Sequence, residues 1–398
     1  MTNTTLRSYR FTRGSVAGLA ALTLAAVTVA GAPAAAESFD VRLIGVHDVP
    51  AGLAVDGTVV GGLSGIDRHP VTGEYLMISD DRSTIGPARY YAADIEVSAT
   101  GIDSVDFTSA TELTQSDGTP YPPYRESLEN PCTDAQEVCD RTGSVDPEEL
   151  RIDPHTRQVW WTTEGAFSGR TLINPAMRVA VHGRSLHEVN LGPDFRFYRD
   201  GQRGLRPNFT IEAFEFINGG ARVVTAVEGP MVQDGPLPTP DQGALTRVTE
   251  HARSGRTLVQ YAYPLDPIFA PPTGQGFMDN GITAILSTGE PGHYLVLERA
   301  FSEGHGYSVR MYHIDTNGAQ DVSGIPSLAE APGVQPLGKT LVADFGELGI
   351  DPLYNVEGMV WGPELPGGER SLVLVVDDNF SAEERTQVLA LGLSESAA

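Results

Sequence analysis

Residues 64–82 read SGIDRHPVTGEYLMISDDR. An apolar strand runs into a polar turn, a second apolar strand follows, and that strand ends in acid. The first half returns as EELRIDPHTRQ from Glu148, IEAFEFINGG from Ile211, GITAILSTGEPG from Gly281 and VEGMVWGPELPGG from Val356. The second half returns as VWWTTEG from Val159, RVVTAVEG from Arg222, YLVLERAF from Tyr294 and LVLVVDDN from Leu372. Two short apolar runs flanking a Gly, Asn, Pro or polar turn are the signature of a β-hairpin.

An isolated hairpin cannot bury its apolar face in water, so the copies must cover one another. Taken at Gly65, Glu149, Glu212, Gly281 and Glu357, they lie 84, 63, 69 and 76 residues apart. That spacing is too long and irregular for a tight solenoid and suits four-stranded propeller blades with variable loops. Third strands are predicted at 89–97, 179–189, 244–252, 307–315 and 386–393. Fourth strands are predicted at 105–113, 195–200, 258–265 and 339–345. The last unit has no fourth strand of its own, and the strand FDVRLIGVHDV from Phe39 belongs to no unit. The expected fold is therefore all-β, a five-bladed β-propeller whose ring is closed by the N-terminal strand. Six blades stay open, because divergent blades escape short motifs.

Residues 1–36 read as a secretory signal peptide: Arg7, Arg10 and Arg13, an apolar run from Val16 to Gly31, then Ala34-Ala35-Ala36 before Glu37. The run is short and Ala-rich for a membrane span, and without a twin-arginine pattern Sec-type export to the periplasm or beyond is expected. Residues 37–398 are expected to be one domain and a monomer. Within it, about 115–146 reads as a Pro-rich insertion, a lid or a stapled surface loop. Its Cys132 and Cys139 are the only cysteines and are expected to form a disulfide in an exported chain.

The formal net charge is −25; without the three leader arginines it becomes −28. Such a chain repels phosphate backbones, so nucleic acid is excluded as a partner, and it attracts cations. Solubility in a salty or secreted setting explains much of the same charge without any site.

Equivalent strand ends of all blades meet around the channel of a propeller. Asp80 and Asp81, Glu164, Glu228, Glu298, and Asp377 and Asp378 end the second strands; Glu148 and Glu149, Glu212 and Glu357 begin the first. Two carboxylates about 4 Å apart repel by roughly 1–4 kcal/mol, so protons, arginines or a cation must compensate them. Hard oxygen ligands suit Ca²⁺. The other reading is that these acids cap strand ends by bonding backbone N–H groups. Arg82 and Arg299 follow two of the acidic ends and would bind phosphate or carboxylate, or else neutralise their neighbours. Of the histidines, His182 and His187 are placed on the third strand of the second unit. His305, in the Gly-rich FSEGHGYS loop, is the one best placed to reach the rim. No G-x-S-x-G elbow, H-E-x-x-H helix or P-loop is present, and Ser64 reads as leading into a strand.

The ordered segments SGIDRHPVTGEYLMISDDR, DPEELRIDPHTRQVWWTTEG, TIEAFEF with VVTAVEG, NGITAIL with YLVLERAF, and NVEGMVWGP with LVLVVDDNF resemble the exported bacterial proteins of the "esterase-like activity of phytase" family. The resemblance covers nearly all of the chain after the leader. It implies a propeller related in broad form to the alkaline phytases, which use calcium to bind and hydrolyse phosphate esters.

On this reading the chain is a secreted, calcium-assisted ester or phosphoester hydrolase with a small-molecule substrate. Glu149 or Glu212 would be the general base, Arg82 and Arg299 would meet developing negative charge, and His305 would stand by. Asp80, Asp81, Glu164, Glu228, Glu298, Glu357, Asp377 and Asp378 would hold metal. The alternative is a non-catalytic, calcium-stabilised propeller that binds a ligand or an envelope partner.

Overall fold

A computed structural model describes residues 39–124, 143–168 and 171–395. The leader, Cys132 and Cys139 lie outside them. Five antiparallel four-stranded sheets follow one another around a ring. Blade 1 runs Leu63–Arg68, Tyr75–Ser79, Arg89–Ser98 and Gly101–Glu112; blade 2 runs Pro147–Ile152, Val159–Thr163, Ala176–Val181 and Arg184–Val189. Blade 3 runs Ile211–Ile217, Arg222–Val227, Ala244–Ala252 and Thr257–Leu265; blade 4 runs Met278–Ser287, His293–Ser302, Gly306–Asp315 and Lys339–Asp344. Blade 5 runs Asn355–Glu364, Arg370–Asp377 and Gln387–Glu395, and its outer strand is Phe39–Asp48. The N-terminal strand thus closes the ring, paired from Phe39 opposite Glu395 to Asp48 opposite Gln387.

One outer strand is not where the sequence pattern put it. The run 179–189 is a hairpin rather than one strand: His182 and Gly183 take positive φ of 47° and 77° and turn the chain, so Arg184–Val189 is the outer strand of blade 2. Residues 195–200 then form a loop whose Phe195 and Phe197 are buried between blades. Gly at the second turn position permits the tight reversal, and the alternating pattern hid it because it continues through the turn. His182 sits in that turn, and His187 lies on the outer strand opposite Val179.

The core is divided among the seams. Separate apolar clusters join blades 1 and 2 (Ile78, Leu150, Trp161), 2 and 3 (Trp160, Ile211, Phe214), and 3 and 4 (Val224, Ile282, Tyr294). Others join blades 4 and 5 (Leu297, Met359, Leu374) and 5 and 1 (Val375, Leu63, Met77). Each sheet is apolar on both faces because each face meets a neighbouring blade, which is why the inner strands read as continuous apolar runs.

Inner strands meet closely at the centre: a Cβ built on Gly65 would lie 2.5 Å from Glu149 Oε1 and 2.8 Å from the Glu148 carbonyl oxygen. All five inner strands carry a β-bulge at the same place, and its extra residues are Ser64, Glu148, Glu212, Thr283 and Glu357. A bulge re-aims the side chains around it, and here it decides which residue looks into the channel mouth.

Candidate functional site

Strand ends of all five blades and the bulges of three line one cavity of about 300 Å³ at the channel mouth. The second strands supply Asp80, Glu164, Glu228, Arg299 and Asp377, one from each blade. The bulges supply Glu148, Glu212 and Glu357, and the ring is completed by Arg82, Asp279, Asn355 and Glu384. Asp146 stands beside them, its Oδ2 2.6 Å from Arg82 Nε.

These acids form two overlapping clusters. Oxygens of Asp146, Glu148 and Glu164 lie within 4.8 Å of one another, and so do those of Glu164, Glu212 and Glu228. Burial, then the charges of Glu164, Glu228 and Glu357, pushes the Glu212 carboxyl well above the usual range. Burial does the same to Glu148, helped by Glu212 and Asp146, and raises Glu164. Asp146 is pushed up to about 8, mainly by burial, with Arg82 pulling the other way. Asp80 and Asp377 rise for the same first reason, with each other's neighbours adding to it.

Arg299 is the main internal compensation. Its Nη1 lies 2.8 Å from Asp279 Oδ2, and its Nη2 lies 3.3 Å from Glu228 Oε1 and 3.5 Å from Glu357 Oε1. Asn355 Nδ2 donates to Glu357 Oε1 and Asp377 Oδ2 at 2.9 and 3.0 Å, and Ser64 Oγ donates to Glu148 Oε2 at 3.0 Å.

Compensation is incomplete. Asp80 Oδ1, Asp146 Oδ1 and Glu164 Oε1 are buried with no hydrogen-bond donor among the described residues. Buried, unpartnered carboxylate oxygens converging from several blades fit a hard divalent cation such as calcium, which takes about 6–8 oxygens. Glu164 belongs to both clusters.

The expected site residues divide. Asp80, Arg82, Glu164, Glu212, Glu228, Arg299, Glu357 and Asp377 come together in the cavity. Asp81, Asp378, Glu298, Glu149 and His305 are not among its lining residues. Asp81 accepts from the amides of Thr84, Ile85 and Gly86 and pairs with Arg89 at 2.8 Å, holding the turn after its strand. Asp378 accepts from the amides of Gly62 and Phe380. Both fill the strand-capping role that the sequence left open.

Glu298 is paired with Ile282 one step before Arg299 pairs with Gly281, so its side chain leaves the channel. It accepts from Tyr263 Oη at 2.7 Å and Asn280 Nδ2 at 3.1 Å and contacts Lys339 in the seam toward blade 3.

Glu149 sits below the cavity. The bulge between Pro147 and Leu150 sends Glu148 into the mouth, and Glu149 faces Arg151, whose Nη2 is 3.0 Å from its Oε2. Arg151 also pairs with Glu215 at 3.2 Å and donates to the carbonyls of Ile66, Met359 and Ile285. One guanidinium therefore ties all five blades at the axis. His305 is exposed at the turn between the second and third strands of blade 4. Asp146, Asp279, Asn355 and Glu384 went unread; Asp146 and Asn355 each precede a bulge residue by two positions, a spacing the repeat itself offered.

Fold and site together define a five-bladed propeller with a carboxylate-lined mouth. The chain belongs to the family described as Phytase-like, esterase-like activity of phytase, which it matches over residues 58–380. No curated protein matches it.

Among solved structures it is similar to the catalytic domain of Coprinopsis cinerea GH62 alpha-L-arabinofuranosidase, at 9% identity and TM-score 0.44, covering 91% of this chain and 99% of that one. A thermostable family-43 glycoside hydrolase matches at 10% identity and TM-score 0.43, covering 87% and 93%. The bifunctional GH43-CE of Bacteroides eggerthii matches at 12% identity and TM-score 0.38 over 85% of this chain, which spans only 34% of that one. No helix among the described residues is long and apolar enough to cross a membrane.

Proposed function

We propose that the protein is an exported hydrolase of carboxylic or phosphoric esters that works at the channel mouth with calcium. The observation that carries this reading is the convergence of carboxylates from all five blades on one cavity that also holds Arg82 and Arg299. Asp146, Glu148 and Glu164 would hold the ion, with Glu228 adjoining through Glu164. When bound, calcium would supply charge compensation and Lewis-acid polarisation of the ester oxygen.

The chain's own groups do the rest. Glu212 is hydrogen-bonded to Glu164 and burial favours its protonated form; once ionised, its carboxylate takes a proton from the attacking water. Arg82, its side chain 39% exposed, is the freer guanidinium and meets negative charge on the reacting oxygen. Arg299 is already engaged by three carboxylates and holds the acids in place. That same engagement favours the second reading, a calcium-stabilised propeller that binds without turnover.

The test is hydrolysis of an aryl phosphate and an aryl acyl ester by the purified protein, with chelator and with calcium restored. Turnover lost with chelator and regained with calcium is expected. Folded, calcium-loaded protein inert on both substrates would shift the assignment to the binder.

A further inference from the structure

The five-fold pattern of acids breaks at blade 4. Where blades 1, 2, 3 and 5 end their second strands in Asp80, Glu164, Glu228 and Asp377, blade 4 has Arg299. Where blades 2, 3 and 5 place Glu148, Glu212 and Glu357 at the bulge, blade 4 has Thr283. The same blade brings aromatic rings to the cavity wall. Phe277 is 54% exposed, although it lines the cavity. Its ring lies 6.2 Å from that of Phe301, which lies 4.9 Å from that of Tyr307.

Hydrogen bonds tie the ridge to its neighbours. The Phe277 amide donates to Glu303 Oε2 at 2.9 Å, the Glu303 amide donates to the Phe277 carbonyl at 2.9 Å, and Tyr307 Oη is bonded to Glu384 at 3.0 Å. The otherwise polar cavity therefore has one aromatic ridge, set beside Arg299, Asp279 and Glu384.

We propose that this ridge is a subsite for a planar, apolar leaving group, with Phe277 as its stacking face. The inference rests on the hydrolase reading and narrows its substrate to aryl-type esters bearing a single anionic or carbonyl head. A head seated among the acids would leave the attached group directed at blade 4, where an exposed ring gains by covering itself. Among the described residues two cations line the cavity, Arg82 and Arg299. A substrate with several phosphates would meet far more like charge than compensation.

The test uses the calcium-loaded protein, Phe277→Ala and Phe277→Tyr. Phenyl and methyl phosphate, and phenyl and methyl acetate, are compared by steady-state kinetics, so that the phosphate and carboxylate arms identify the head. Phenyl- and methylphosphonate binding is measured by calorimetry. Phe277→Ala is expected to raise KM for the phenyl member of the active pair, and Kd for phenylphosphonate, about two- to tenfold. The methyl compounds should be unmoved and Phe277→Tyr should restore the values.

Equal effects on phenyl and methyl compounds, or no preference for phenyl in the unaltered protein, would overturn the subsite. Phenylphosphonate binding that depends on Phe277 without turnover of any ester would keep the subsite and remove the hydrolase. Binding indifferent to Phe277 would remove the subsite whether or not esters turn over.

Discussion

Arg299 occupies in blade 4 the strand-end position that Glu228 occupies in blade 3, and its Nη2 lies 3.3 Å from the Glu228 carboxylate. A cation at one position of an otherwise acidic ring lets neighbouring blades approach without an ion between them. Gly281, opposite Arg299, leaves the room: a Cβ there would fall 2.3 Å from Glu228 Cγ.

Removing that cation should destabilise the ring. Arg299→Met leaves Glu228, Asp279 and Glu357 without their common partner, and breaking a buried pair in this way costs about 3–5 kcal/mol. Urea unfolding is expected to show that loss at pH 8. It should shrink as the pH is lowered to 5, because burial raises Glu228 and Glu357 and so favours their neutral forms, which need the cation less. A loss equal at both pH values would count against the ring as an electrostatic unit.

Metal-free stability should fall as pH rises. Asp146 has its folded pKa raised to about 8, mainly by burial. A carboxyl raised in this way contributes stability fully below its unfolded value near 4 and loses it as pH climbs through 8. With chelator present, thermal melts should be highest near pH 5 and decline toward pH 9. Saturating calcium should flatten that decline, since a ligand bound only by the folded state adds stability where the acids are ionised. A metal-free midpoint that increases from pH 5 to pH 9 would contradict the placement of these acids.

Glu149 and Glu212 should behave differently although the repeat makes them look alike. Glu149→Gln weakens the partner of Arg151 at the axis, so the expected effect is a lower unfolding midpoint with kcat near that of the unaltered protein. Glu212→Gln alters a group in the cavity, and its expected effect is a kcat reduced about 100-fold or more with little change in midpoint. Kinetics and melts on the same preparations separate the two.

Arg151 itself is the strongest structural prediction. Arg151→Lys keeps the charge but replaces five forked donors with one compact ammonium. It cannot reach Glu149, Glu215 and three carbonyls at once. Arg151→Lys is expected to recover less than half of the stability lost in Arg151→Met, read by urea midpoint.

Deleting residues 39–48 should open the ring. The strand leaves the edge at Gln387–Glu395 unpaired and removes Phe39, Val41 and Leu43 from the seam between blades 4 and 5. Lower midpoint and lost cooperativity are expected, with aggregation through the bare edge. Adding the 39–48 peptide should restore part of the midpoint.

Blade number and ring closure were legible because they depend on patterning. Paired apolar strands separated by turn residues appear as such in the chain, and a spare strand at one end answers a missing strand at the other. Outer strands were less legible: at His182-Gly183 the alternation passes through a turn, and only pairing partners tell a hairpin from a long strand. Whether an acid enters the cavity was decided by tertiary structure. A β-bulge inserts one residue and a side chain alternates faces with a period of two, so a shift of one exchanges channel for seam. That is why Glu148 rather than Glu149, and Arg299 rather than Glu298, look into the mouth. The sequence alone determined that acids would gather at the axis; the bulges and the neighbouring blades determined which of them face one another, because those positions are set by contacts between segments some 60–80 residues apart.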